Sequence, residues 1–190
     1  MHSGGDTTTA ARFSAHYGSV AGALRAWSAL QVRGALAGSV DPEDLVQETC
    51  LAAFRAYERY DAEQGDFRAW FFGVAHNVLR GALRTAARAR MRGAVGAVPL
   101  ASAAGSIPEE ATTISRRVAR DESLRRFVDE VSALDEEDRQ LLLWRGLEGL
   151  GHAEVGELLG LGAEGARKRW QRLRARLAQG PAAAVLVAER

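Results

Sequence analysis

Residues 163 to 177, AEGARKRWQRLRARL, carry five arginines, Lys168 and one glutamate, a net charge of +5. At helical spacing Ala166, Trp170, Leu173 and Leu177 share one face, and Ala163, Glu164, Arg167, Lys168 and Gln171 lie opposite. Arg169, Arg172 and Arg176 form a flank. Guanidinium and ammonium groups pair with phosphate, while Arg, Lys and Gln hydrogen-bond base edges. The chemistry available here is nucleic-acid recognition. The preceding GLGHAEVGELLG and the glycines at 160 and 162 add a short helix and a tight turn. That is helix-turn-helix architecture, whose second helix enters the major groove. The apolar face is expected to pack on Val155, Leu158 and Leu159. A solvated basic helix in a bundle is the plainer alternative, and the agreement of turn, apolar face and charge weighs against it.

Two further stretches carry interaction chemistry. In GDFRAWFFGVAHN, residues 65 to 77, Phe67, Phe71, Val74 and Val78 fall on one helical face with Trp70 at its edge, which reads as core. Phe72 lies off that face, in line with His76, Leu79 and Leu83, and is left open between packing and a partner contact. Arg68, Asn77, Arg80, Arg84 and Arg88 remain on the polar side, where Asn and Arg read base edges or pair with phosphate. In EDLVQET, Asp44, Gln47, Glu48, Leu51 and Arg55 recur on the side away from Val46 and Phe54. Such a stripe suits an arginine-rich helical partner; an ordinary solvated face is the alternative.

These residues need helices to position them, and helical signals dominate the chain, with no convincing alternating strand. Phe13, Tyr17, Val20, Leu24 and Trp27 predict a first helix from about 11 to 37. Asp41 as N-cap, Pro42 at the first helical position and acids behind them start a second. A loop, DAEQGD, leads into a third from about 66 to 90. Residues 93 to 113 have small residues, two prolines and no basic group, and read as a flexible linker. Helical pattern resumes near Ile114 and runs to Leu134, and Asp135 caps the next helix. The expected organisation is therefore all-α: a disordered N-terminus at 1–10, a helical domain at 11–92, the linker, a second at 114–179 and a tail at 180–190.

Composition excludes several classes. Cys50 is the only cysteine and the four histidines are scattered, so neither a disulfide framework nor a local metal motif is expected. No phosphate-binding glycine loop and no nucleophile with its base are present, so neither a cofactor nor catalytic residues are expected. MHSGGDTTTA lacks the features of a signal peptide, and no apolar run approaches the roughly 20 residues that span a bilayer. A soluble cytoplasmic protein with no membrane partner is expected. Residues 41 to 66 carry a net −6 and residues 67 to 92 a net +6, which points to separate partner surfaces.

DPEDLVQETCLAAFRAYERYDAEQGDFRAWFFGVAHNVLRGALR resembles region two of RNA polymerase sigma factors of the extracytoplasmic-function type. LDEEDRQLLLWRGLEGLGHAEVGELLGLGAEGARKRWQRLRARL resembles their region four. The resemblance implies that Asp44, Gln47 and Glu48, with Leu51 and Arg55 on the same stripe, bind core RNA polymerase through its β′ clamp helices. The β subunit is a further expected contact. It implies that Arg68, His76, Asn77, Arg80 and Arg84 meet the minus-ten promoter element, with a flipped base held by the loop from Tyr60 to Asp66. Ala163, Glu164, Arg167, Lys168, Arg169, Gln171 and Arg172 are expected at the minus-35 duplex. Gly81 stands where the family has Asp, His76 where it commonly has Arg, and Gly151 and Gly162 where serines cap helices. The implied protein is a non-enzymatic initiation factor, with an anti-sigma factor left open as a partner. The alternative is a stand-alone helix-turn-helix regulator.

Overall fold

The computed structural model describes residues 3–33, 39–92, 122–180 and 183. Among them every regular element is helical: α1 (Ser3–Arg33), α2 (Pro42–Ala56), α3 (Phe67–Met91), α4 (Glu122–Ser132), α5 (Glu136–Leu141), α6 (His152–Leu159) and α7 (Ala163–Leu177). A 3-10 turn, Tyr57–Arg59, extends α2, and a π-helical turn, Leu142–Leu147, extends α5. The chain divides into two compact units, Met1–Arg120 and Asp121–Arg190. The expected linker, the start near Ile114 and most of the expected tail lie outside the described residues.

In the first unit α2 packs against both α1 and α3. Phe13, Tyr17, Val20, Leu24 and Trp27 of α1 are all buried, as their spacing requires. Each such side chain contributes about 1.5–3 kcal/mol on leaving water. α1 reaches back to Ser3, through the segment expected to be disordered. Once the buried face nucleates a helix, each added residue gains a hydrogen bond at little further cost. Asp41 caps α2, its carboxylate accepting from the Glu43 N–H at 2.8 Å. Asp66 does the same for α3 through the Arg68 N–H at 3.0 Å.

The buried stripe of α3 is rotated from expectation. Phe67, Phe71, Phe72, Ala75, Leu79, Ala82, Ala86 and Ala89 are buried, whereas Val74 and Val78 are half-buried. Four alanines give the later turns a flat, narrow face that lets a neighbouring element approach, so packing follows the small residues more than the valines. Phe72 is core: its ring stands edge-on to Trp27 at 5.9 Å and to Phe71 at 6.2 Å.

In the second unit Phe127, Val131, Leu141, Leu142, Leu147, Val155 and Ala166 are fully buried. Asp135 caps α5 by accepting from the Asp138 N–H at 2.9 Å. After the π-helical turn, Gly149 at φ 82° redirects the chain. Arg145 holds this bend, one guanidinium nitrogen donating to the Leu150 carbonyl at 2.9 Å. Gly151 then begins α6, its N–H donating to the Glu154 carboxylate at 2.9 Å. This is half of a capping box, which glycine has no side chain to complete.

Candidate nucleic-acid interface

α6 and α7 meet through glycine. Gly160 ends α6 in the left-handed region at φ 68°. A Cβ on Gly156 would lie 2.7 Å from the Gly162 carbonyl carbon and oxygen and 2.9 Å from the Ala163 nitrogen. Only a residue without a side chain admits that approach. Ala166, Trp170, Leu173 and Leu177 are buried, fixing the roll of α7. Ala163, Glu164, Arg167, Lys168, Gln171 and Arg172 are consequently exposed, and Lys168, Gln171, Arg172 and Ala175 line a shallow depression on this face.

Two expectations need correction. Leu158 is 56% exposed and does not pack under α7, because the contact runs through Gly156, about 160° around α6 from Leu158. Arg169 is not a free flank residue. Its guanidinium bonds to Asp138 at 2.6 Å, to Asp135 at 3.0 Å and to Glu137. Arg176 pairs with the other oxygen of Asp138. Positions 169 and 176 share the edge of α7 that borders the acidic first turn of α5. Burial pushes the Asp138 carboxyl up, but the hydrogen bonds and charges of Arg169 and Arg176 outweigh it and hold the carboxyl below its ordinary value. On the outer face Arg167 is bidentate to Glu164 at 2.7 and 2.8 Å, with Lys168 at 3.6 Å from the same acid. Exposed pairs of this kind contribute little stability and exchange readily for another anion.

On α3, Asn77, Arg80 and Arg84 are exposed, and Arg80 donates to the Asn77 side-chain oxygen. Arg68 is half-buried and reaches the Ser19 carbonyl at 3.5 Å. His76, in line with Phe72 as its spacing requires, is half-buried, with its ring edge-on to Trp27 at 5.2 Å. Edge-to-face geometry of this kind is the favoured arrangement of aromatic rings, and it holds His76 against α1. The loop ahead of α3 is braced. Asp61 accepts from the Glu63 N–H at 2.9 Å and from the Gln64 amide at 2.8 Å, and Tyr60 donates to the Gly65 carbonyl at 3.3 Å. The half-buried rings of Tyr60 and Trp70 lie 5.2 Å apart beside it. Sequence reasoning missed His16, whose Nδ1 lies 2.8 Å from the Tyr57 hydroxyl and whose ring is 4.8 Å from Phe67. Its helical register with Phe13 was the available signal.

On α2, Asp44 and Arg55 are exposed and Gln47 and Glu48 half-buried. Leu51 is 6% exposed, which corrects its place on an exposed stripe. A helix packed on both α1 and α3 has more of its surface covered than a single face predicts. Burial raises the Glu48 carboxyl above its usual range; Arg55 opposes this and Asp44 adds to it.

Sigma-70 region 2 matches residues 13–89, the span that holds α2 and almost all of α3. RNA polymerase sigma factor CnrH of Cupriavidus metallidurans is 30% identical over 138 residues, 72% of this chain and 71% of the relative. The chain belongs to the sigma-70 family of RNA polymerase sigma factors, extracytoplasmic-function type. RNA polymerase sigma factor NccH of Alcaligenes xylosoxydans xylosoxydans is 26% identical over 137 residues, with the same coverage. A solved structure of CnrH in complex with the cytosolic domain of CnrY is 22% identical, covers 97% of this chain and 96% of that one, and has a TM-score of 0.41.

As a sigma factor the chain binds core RNA polymerase and promoter DNA, is not an enzyme, and serves transcription initiation. Its chemistry is therefore that of reversible contacts. Cys50 of this sigma factor is buried, and burial outweighs a hydrogen bond with Tyr17 to push its thiol up to about 12, which removes it as a nucleophile at neutral pH. No helix among the described residues is long and apolar enough to cross a membrane.

Proposed function

We propose that this cytoplasmic sigma factor divides its work among three helices. α2 presents Asp44, Gln47 and Glu48, with Arg55 at the edge, to the β′ clamp helices of core polymerase. α3 presents Asn77, Arg80 and Arg84, and with the Tyr60–Asp66 loop it holds the minus-ten element and one flipped base. α7 lies in the major groove of the minus-35 duplex, with Arg167, Lys168 and Gln171 at base edges and Arg172 at phosphate.

The observation that carries the reading is α7: a basic, exposed helix face held behind a glycine turn that fixes its roll. A rigid helix presents its side chains to a groove in one register, which base readout needs. The acid-rich α2 supports the polymerase contact, because opposite charge steers association and fixes register. Extracting a base from its stack costs a few kcal/mol and must be offset by pocket contacts; the braced loop and the Tyr60–Trp70 pair supply aromatic surface for that. CnrH is known in a complex with the cytosolic domain of CnrY, and an anti-sigma protein is kept as a further partner of this chain.

Paired variants test the division. Glu48→Arg is expected to weaken core association about tenfold or more, by placing like charge against the clamp. Arg167→Ala is expected to weaken minus-35 binding by a factor of about 5–100 while association with core persists. Loss of core binding in Arg167→Ala, or its retention in Glu48→Arg, contradicts the assignment.

A further inference from the structure

α7 is attached to its unit in two ways. Its apolar face packs inward, and its flank is tied to the turn that starts α5. Arg169 spends three guanidinium nitrogens on three carboxylates: Nε on Asp138 at 2.6 Å, Nη2 on Asp135 at 3.0 Å and Nη1 on Glu137. Two turns along, Arg176 takes the second oxygen of Asp138. The Asp138 side chain is 7% exposed, and its own N–H is held by the Asp135 cap. A planar fork with three partners has one orientation, so this cluster fixes the tilt of α7 as well as its roll.

The same geometry argues against a phosphate contact by Arg169. Its side chain is 25% exposed, and a phosphate brought to it would also approach three carboxylates. Arg172 borders the depression lined by Asp135 and Asp138, but it is exposed and its Nε donates to the Lys168 carbonyl of its own helix at 3.4 Å; Lys168 lies on the open face.

We propose that Arg169 is a positioning residue: it acts through Asp138 to set the angle at which α7 meets duplex DNA, and does not contact DNA itself. This rests on the reading of α7 as the helix that enters the minus-35 groove. Breaking the pair leaves a partly buried charge without its partner and frees the helix to tilt, displacing Arg167 and Gln171 from base edges.

The test uses the full chain assembled with core RNA polymerase, and as probe a duplex promoter fragment recovered by mapping its own start sites. Affinity is followed from about 50 to 200 mM salt, where each phosphate contact contributes about 0.9 to the log–log slope. Arg172→Ala, the phosphate comparator, is expected to lower that slope by about 0.9. Arg169→Ala is expected to lower affinity about tenfold with the slope unchanged. Asp138→Asn is expected to weaken binding by a similar factor, although removing a negative charge beside DNA strengthens binding on charge alone. The double variant is expected to be no weaker than the weaker single, because both break one device. Arg169→Lys keeps the charge and meets one carboxylate at a time; with folding checked by circular dichroism, it falls below the parent with the slope retained. Asp138→Asn binding as tightly as the parent, or Arg169→Ala losing slope as Arg172→Ala does, overturns the inference. If neither Arg167→Ala nor Arg172→Ala alters affinity, α7 does not read DNA, and the proposed function falls with it.

Discussion

Glu48 is half-buried on α2, and its raised carboxyl means that ionisation there costs the free protein stability. With a folded pKa above the ordinary 4.5, the stability difference favours the protonated form and is lost as pH rises through the folded value. Glu48→Gln is therefore expected to leave the thermal midpoint at pH 7 level or slightly higher, while core affinity falls about tenfold, 1.4 kcal/mol. Thermal denaturation alongside a core-binding titration checks both. Asp138 has the opposite sign. Its folded pKa lies below the ordinary 3.8, so its contribution is present above that value and is lost as pH falls below it. Acid unfolding of the second unit should accordingly show a limb below about pH 4 that Asp138→Asn flattens. At this scale the sequence was a partial guide. Periodicity located the exposed face of α7, but Arg169 and Arg167 are both arginines on one helix. What separates them is the acidic turn of α5, more than thirty residues away, which no local pattern reports.

Among the elements, caps and periodic faces were legible because they are local: Asp41 and Asp135 cap as their positions require. Val74, Leu51 and Leu158 were misjudged for one reason. Which flank of an amphipathic helix is covered depends on its neighbours, and α2 has two. Gly156 was likewise silent in the sequence, since its role is set by the backbone of Gly162. Gly156→Ala is expected to destabilise the second unit by about 1–3 kcal/mol through overpacking. Gly73→Ala, exposed in α3 with open space at its Cβ, is expected to stabilise the first unit by about 0.5–1 kcal/mol. Urea unfolding of the two variants measures both values; a neutral Gly156→Ala contradicts the packing described.

For the whole molecule, a net charge of +1 conceals blocks of −6, +6 and +5. Under the proposed division of surfaces, the separation lets one chain attract a basic protein surface and two stretches of DNA, and every one of those contacts is expected to be salt-sensitive. If these surfaces work together on polymerase, the direct measurement is to combine the purified chain with bacterial core RNA polymerase and map run-off transcripts on genomic fragments. A stoichiometric complex is expected, with discrete start sites that share minus-ten and minus-35 sequences and vanish without the chain. Tight binding to bare duplex DNA, with no association with core and no new start sites, would contradict the proposed function.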